Sequence, residues 1–431
     1  MDYNFQRTYT LLPQSPLIHF QYNQSGATLR ATEVKPKLDR YIISRYRREH
    51  DGKDIPGDWK MPKTPEGKTS LKYKLKITAV EPIKQVSLDY YEEKLTDGTV
   101  VKHREYDIYY GNMGSSDKKQ GIIAECKLTV TCVITGLRDY IKDILFDFFI
   151  VTNFGTMQNK GFGSFRVKVD QKIKIRDMCE ILKKEYGVEH IYYFKADKEF
   201  RERTSWKNKN TGRTENTEIV KGVFNQIKTV YSLIKSGINL SFMTRYKKLS
   251  EDSEDYERIP YRRSMLFTYM HDKGIGNEKA WMKQNGISPA IGDHDYYQND
   301  SDSIERYVRA LLGITSKIEY KKSTDKQSGK VEVKIAETGE EIDRLSSPIM
   351  FKIIGAGEHP FVLFFGRKID EAIYGKTFKF SSPLGCNTLS VPDKVELPDN
   401  FMDDFMSYVF SELKKCQNKF VDISGLEFKE V

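Results

Sequence analysis

The stretch Gly136–Val169, GLRDYIKDILFDFFIVTNFGTMQNKGFGSFRVKV, restricts what this chain can fold into more than any other part of it. Leu137, Tyr140, Ile141, Ile144, Leu145, Phe148 and Phe149 recur at steps of three and four. Arg138, Asp139, Lys142, Asp143 and Asp147 fill the opposite side, so the spacing predicts an amphipathic helix over 137–150. Asn153-Phe154-Gly155 and a glycine-rich loop to Ser164 follow. Phe165, Val167 and Val169 then alternate with Arg166, Lys168 and Asp170 as in a half-buried strand. The order is helix, glycine loop, basic edge-like strand.

Gly155, Gly161 and Gly163 permit positive φ and leave backbone N–H groups clear of side chains, which is what holding a phosphate against the main chain requires. Lys160 adds a point charge beside them. A nucleotide fold is disfavoured, because no GxxxxGK run is present and the loop follows a helix instead of a strand. A tight helix-to-strand connection with ordinary turn glycines explains the same residues, and both readings stand at this level.

With 431 residues the chain has room for two or three domains. An apolar fraction of 39% with 12% aromatics excludes general disorder. There is no run of 18 apolar residues and no basic, cleavable leader at the start, so a cytoplasmic protein without membrane spans is expected. Cys126, Cys132, Cys179, Cys386 and Cys416 show no ligand spacing, so neither a metal nor another cofactor is expected; Cys126 and Cys132 read as small core residues. The net charge of +9 is spread over 70 basic and 61 acidic residues, so the positions of the charges matter more than their sum.

The elements order as a strand ending at Phe20, a helix over 35–48 with Pro36 in its first turn, a strand over 71–80, a strand over 122–134, the helix over 137–150 and a strand over 164–169. Residues 86–110 form an inserted hairpin, and 51–70 read as an exposed loop. This is the split βαββαβ order of ferredoxin-like and RNA-recognition folds, whose helices cover one sheet face and leave the other free. A helix over 175–186 and a strand over 189–194 open a second unit. A helix over 218–236, apolar strands over 349–354 and 361–366, and a helix over 401–416 continue it. Residues 241–343 look like an insertion, with a helix in DSIERYVRALLG. The fold expected is α+β, two tandem ferredoxin-like domains with insertions, divided as 1–175 and 176–431.

The first helix carries Lys35, Lys37, Arg40, Arg45, Arg47 and Arg48 against the single acid Asp39, so either distant acids pair with these cations or they face a polyanion. Residues 195–213 interleave basic residues with Phe200 and Trp206, which suits phosphate attraction with base stacking. His19, at a strand end, reads first as an edge-of-core residue and second as an acid–base candidate. His294 between Asp293 and Asp295 reads as loop, since chain neighbours seldom converge on one ion.

The segments LLPQSPLIHFQYNQSGATLRATEVKPKLDRYI (11–42), FGTMQNKGFGSF (154–165), YVRALLGI (307–314) and RLSSPIMFKII (344–354) resemble the RAMP superfamily of CRISPR-associated proteins. Within it, the chain is similar to the family of first subunits of the type III-B Cmr complex. The resemblance implies tandem ferredoxin-like domains, a role in antiviral defence inside a type III effector, and partners consisting of guide or target RNA and other CRISPR effector subunits. It also implies no required metal or other cofactor. The RNA-binding residues expected are the cations of the first helix read from their charge, Lys35, Lys37, Arg40, Arg45, Arg47 and Arg48, together with Lys160, Gly161, Gly163 and Ser164, which match the glycine-rich loop of the superfamily; no catalytic residue is expected. Two alternatives stay open. One is a metal-independent guide-processing endoribonuclease that would use His19 with Arg30, Lys35 or Lys37, and the other is a protein–protein scaffold.

Overall fold

The structure is a computed structural model and describes residues 5–18, 28–62, 69–87, 91–94, 100–103, 120–171, 174–196, 202–207, 214–219, 223–238, 246–248, 256–258, 262–289, 302–321, 330–338, 345–355, 359–420 and 423–431. A first sheet is built from β1 (Gln6–Pro13), a short β2 (Leu17–Ile18), β3 (Lys74–Ser87), β6 (Gln120–Thr131) and β7 (Phe165–Val167). The hairpin β4 (Tyr91–Lys94) and β5 (Val100–His103) lies between β3 and β6. The strand order is β7-β1-β6-β3, antiparallel throughout, and β10 (Thr214–Ile219) with β9 (Glu202–Lys207) extends the β3 edge. Helices α1 (Ala31–Glu49) and α2 (Thr135–Val151) cover one face.

After α3 (Ile175–Tyr186), β8 (Tyr192–Lys195), α4 (Val223–Lys235), β17 (Ile349–Ile354), β18 (Phe361–Gly366), α7 (Phe401–Cys416) and β21 (Phe428–Glu430) form a second unit whose sheet runs β17-β18-β8-β21. Between α4 and β17 lie the pair β11 (Tyr246–Lys248) and β12 (Tyr256–Arg258), α5 (Met265–His271), and the parallel pair β13 (Ile275–Asn277) and β14 (Ile304–Arg306) flanking α6 (Glu278–Gln284). The strands β15 (Lys317–Lys321) and β16 (Lys330–Glu337) then join β19 (Thr377–Ser381) and β20 (Cys386–Ser390) in a four-stranded sheet.

Two apolar cores result, and β17 and β18 serve both. Met350, Ile354, Leu363 and Phe365 pack into the first core with Leu38, Leu128, Ile144 and Phe148. Phe351, Ile353, Val362 and Phe364 point the other way, into the second core with Ile227, Phe405 and Val409. Both strands are therefore buried on both faces, which is why IMFKII and FVLFFG read as unbroken apolar runs. Each such side chain contributes about 1.5–3 kcal/mol by leaving water. The sheet face of the second unit that its own helices leave uncovered is thus occupied by the first unit.

Several elements differ from the sequence reading. Helix α1 starts at Ala31, so Pro36 sits inside it, beyond the first turn; the proline removes one backbone bond, and burial of Val34, Leu38, Tyr41 and Ile42 holds the turn together. Residues 214–219 form a strand, leaving α4 to begin at Val223. The helix read in DSIERYVRALLG is the strand Ile304–Arg306 followed by a 3-10 turn, Val308–Leu312, because Ile304–Arg306 pairs with β13. The segment read as an exposed loop sends Trp59 into the first core, with its ring edge-on to Tyr46. Cys126 and Cys132 are buried core residues.

The second unit buries two amines. Lys235 donates to the carbonyls of Leu312 (3.1 Å) and Gly313 (2.6 Å), and Lys279 donates to that of Ser236 (3.1 Å). Burial, reinforced by Arg309 and opposed by Glu278, pushes each amine down to about 7. Both lysines hold their protons less tightly in the folded chain than in the unfolded one, so unfolding takes up protons between about pH 7 and the ordinary lysine range. Stability is therefore expected to rise from pH 7 to pH 9, by up to about 1.4 kcal/mol per pH unit for each lysine. Urea midpoints at the two pH values check this, and the slope should flatten in Lys235→Met and Lys279→Met.

Candidate nucleic-acid interface

The glycine loop runs from the end of α2 to β7, and its main-chain donors are spent inside the protein. Gly155 N donates to Glu33 Oε1 (2.8 Å) and Thr156 N to the carbonyl of Ile18 (2.9 Å). Lys160 N donates to Met157 O (2.9 Å), Gly161 N to Gln158 O (3.2 Å) and Gly163 N to Pro16 O (2.8 Å). Ser164 N donates to Ser15 Oγ (2.9 Å), and Ser164 Oγ donates to Ile353 O (2.8 Å). A phosphate cradle needs free N–H groups aimed at one point. Gly161, Gly163 and Ser164, expected to bind phosphate, are buried with their donors already committed.

Lys160 follows the same correction. Part of its stem reaches the surface, but Nζ is enclosed, lies over the Tyr231 ring and has no hydrogen-bond partner. Burial first, and then the neighbouring Lys235, push its amine well below the usual lysine range. A cation held in this way cannot meet a phosphate at the surface.

What the loop does is join the two units. Phe351 N donates to Asn159 O (3.0 Å), and Asn153 Nδ2 donates to Gln158 O (2.7 Å) and Phe351 O (3.2 Å). Lys352, fully buried on β17, reaches the C-terminal end of α2 and donates to Phe149 O (2.9 Å), Thr152 O (3.0 Å) and Asn153 Oδ1 (2.9 Å). The last turn of α2 has no basic residue of its own, so this ammonium compensates the negative end of the helix from the other unit. Burial lowers its affinity for the proton, and the three oxygen acceptors offset that cost.

The basic residues of α1 divide into two groups. Lys35 Nζ donates to Asp39 Oδ2 (2.9 Å), Ser70 Oγ (3.2 Å) and Leu71 O (3.1 Å). Lys37 Nζ donates to Glu33 Oε1 (3.0 Å), Asn153 O (2.9 Å) and Gln158 Oε1 (2.9 Å). Arg45 is tied to Asp147, Glu49 and Tyr41. These three cations are internal cross-links, a correction to their reading as phosphate ligands. Arg40, Arg47 and Arg48 are exposed. Arg47 pairs with Asp54 (3.1 Å) and Arg48 with Glu185, while the Arg40 side chain makes no hydrogen bond or ion pair among the described residues.

His19 and the His294 segment lie outside the described residues, as does most of the 195–213 run. Of the cations offered beside His19 for RNA cleavage, Arg30, Lys35 and Lys37, the two lysines have their ammonium donors occupied as above. Among the described residues, no group of three or more His, Cys, Asp or Glu side chains could hold a metal ion, and no helix is long and apolar enough to cross a membrane.

The sequence reading missed a second set of cations: Lys74 and Lys76 on β3, Lys127 on β6, Arg166 on β7, and Lys168 just beyond it. They lie on the face of the first sheet turned away from α1 and α2. The alternation in LKYKLKITAV and CKLTVT carried the signal, because lysines two apart on a strand share a face.

The fold and these surfaces define an α+β protein of two sheet-and-helix units, joined through a glycine loop and edged with cations, and its family matches place it in the RAMP superfamily of CRISPR-associated proteins. Residues 5–238 match the model described as the Cmr1 N-terminal domain and residues 261–428 the Cmr1 C-terminal domain, and the chain belongs to the Cmr1 family. Among solved structures, the crystal structure of Cmr1 from Pyrococcus furiosus (apo form) is similar over 99% of this chain and 98% of that one, at 9% identity and a TM-score of 0.36. No curated protein matches the chain.

Proposed function

We propose that this chain is an RNA-binding, non-catalytic subunit of a type III CRISPR effector that holds RNA by its backbone and works beside other effector subunits in the cytoplasm. The observation that carries this reading is the exposed arginine edge of α1, Arg40, Arg47 and Arg48, in a chain of the Cmr1 family. Guanidinium groups on an exposed helix edge suit bidentate contact with phosphate oxygens, directly for Arg40 and, for Arg47 and Arg48, in exchange for their ion pairs with Asp54 and Glu185.

The same reading takes the chain as two tandem ferredoxin-like units divided near residue 175. Its support is that β1-α1-β3-β6-α2-β7 and β8-α4-β17-β18-α7-β21 follow one βαββαβ order. Both sheets also place the fourth strand beside the first and the third beside the second, as β7-β1-β6-β3 and β21-β8-β18-β17. Strands β9 and β10 cross that division by pairing with β3.

Fluorescence anisotropy with two unrelated single-stranded RNAs at two salt concentrations tests the function. Affinity is expected to fall steeply with salt, and a variant carrying Arg40→Glu, Arg47→Glu and Arg48→Glu should bind both RNAs about tenfold more weakly. Absence of binding by the wild type overturns the reading. So does a discrete cleavage product from end-labelled RNA that persists in EDTA.

A further inference from the structure

The outward face of the first sheet divides into a covered end and an open end. Ile123 on β6 and Ile18 on β2 are buried in the core of the second unit. From Glu125 onward the alternation reverses in burial: Cys126, Leu128 and Val130 face the helices, while Lys127, Thr129 and Thr131 face away from them.

The register sets the neighbours of these residues. Thr78 and Thr10 flank Lys127; Lys76 and Thr8 flank Thr129; Lys74 and Gln6 flank Thr131. Thr8 Oγ1 and Thr129 Oγ1 meet at 3.2 Å, which fixes both hydroxyls on this face. On β7, Arg166 lies opposite Leu12, and Lys168 N donates to Thr10 O (2.8 Å), which places Lys168 in line with Lys127.

Lys74, Lys76, Lys127, Arg166 and Lys168 therefore share one face with the acid Glu125, and Asp170 follows two residues after Lys168. Lys74, Lys76, Lys127 and Lys168 are exposed, Arg166 is partly so, and none of the five makes a hydrogen bond or ion pair through its side chain among the described residues. This contrasts with α1, where acids of the helix itself and of other segments pair with five of the six cations, all but Arg40. Outward positions two apart on a strand are about 6.8 Å apart and neighbouring strands about 4.8 Å. The five cations therefore form a diagonal line from β3 across β6 to β7, with threonine hydroxyls between them.

We propose that this face is a second binding site on the chain, which takes the phosphodiester backbone of a single-stranded RNA. The proposal rests on the RNA-binding reading above and adds the surface. A line of unpaired cations matches a polymer with one negative charge per residue, and hydroxyls between the cations can donate to phosphate oxygens or meet a 2′-OH. The open rows carry lysine, arginine, threonine and glutamine with Glu125, Leu12 and Val80 and no aromatic ring, so bases have nothing to stack on and contact is independent of sequence. The line crosses the face opposite α1, so the two basic surfaces are separable by mutation.

The test is anisotropy with the same two RNAs on the full chain carrying Lys74→Glu, Lys76→Glu and Lys127→Glu, alongside a Lys74→Gln, Lys76→Gln, Lys127→Gln variant to keep the result readable if charge reversal perturbs folding. Tenfold or greater weakening for both sequences is expected, with the slope of log affinity on log salt reduced by about 2. If the wild type binds and both triple variants bind equally well, this site is wrong and the RNA-binding reading stands. If the triple variants bind RNA normally but fail to enter a reconstituted effector complex, the face docks an acidic protein and the proposal is overturned. If the wild type binds no RNA, both fail together.

Discussion

Lys352→Ala is expected to destabilise the protein by about 3–5 kcal/mol. The side chain is fully buried and gives all three of its N–H donors to Phe149 O, Thr152 O and Asn153 Oδ1. Truncation strands three acceptors in a site that water does not reach. It also removes the cation that faces the negative end of α2, a loss of up to about 2 kcal/mol in a buried setting. Lys352→Met separates these effects from packing, because it keeps most of the volume and removes the ammonium, charge and donors together. Urea unfolding should show the methionine variant losing more than half of what alanine loses, and amide exchange at residues 148–153 should accelerate in both. A methionine variant within 1 kcal/mol of wild type would show that packing, and not the ammonium, holds the units together there.

The second large effect is expected at Gly163. Its φ is +67°, and a Cβ built on it would lie 1.8 Å from the carbonyl oxygen of Phe154, the residue whose N–H donates to Gly163 O at 2.9 Å. No rotamer relieves that contact, because both atoms are fixed by the backbone. Gly163→Ala must break the Phe154–Gly163 pairing that closes the loop, at a cost of about 4 kcal/mol or more. Gly187→Ala is the control: φ is +63° with nothing within 4 Å of the new methyl group, so only the conformational term of about 1 kcal/mol is expected. Equal losses in the two variants would refute the claim that close approach, and not φ alone, requires glycine at 163.

Much of the architecture is written in local spacing. The helix Leu137–Phe149, the doubly buried strands 349–354 and 361–366, and the helix 401–416 follow from periodicities complete within a few turns or one strand. The strand and helix order that produces the two sheets is legible for the same reason. The element misread as a helix, Ile304–Arg306, is short and amphipathic, and its state depends on pairing with β13 some 30 residues earlier in the chain.

The candidate site was legible only as a stock of charges. Six cations against one acid over residues 35–48 are visible in the sequence, but two of the acids that neutralise Arg45 and Arg48, Asp147 and Glu185, stand 102 and 137 residues away. The glycines of the loop are equally visible, yet whether their N–H groups face solvent or a partner depends on Pro16, Ile18, Glu33 and Ser15, which the chain folds back against them. The sequence by itself determined where the long periodic helices and strands lie and which of their faces are apolar, because those properties repeat along a few consecutive residues. The tertiary structure alone decided that the glycine loop is an internal joint and that the uncovered face of the second sheet is filled by the first unit. It likewise decided that a lysine 203 residues beyond Phe149 compensates α2 and that five cations without side-chain partners line up on the open face of the first sheet. Burial and neutralisation are properties of through-space neighbours, and no periodicity along the chain specifies who those neighbours will be.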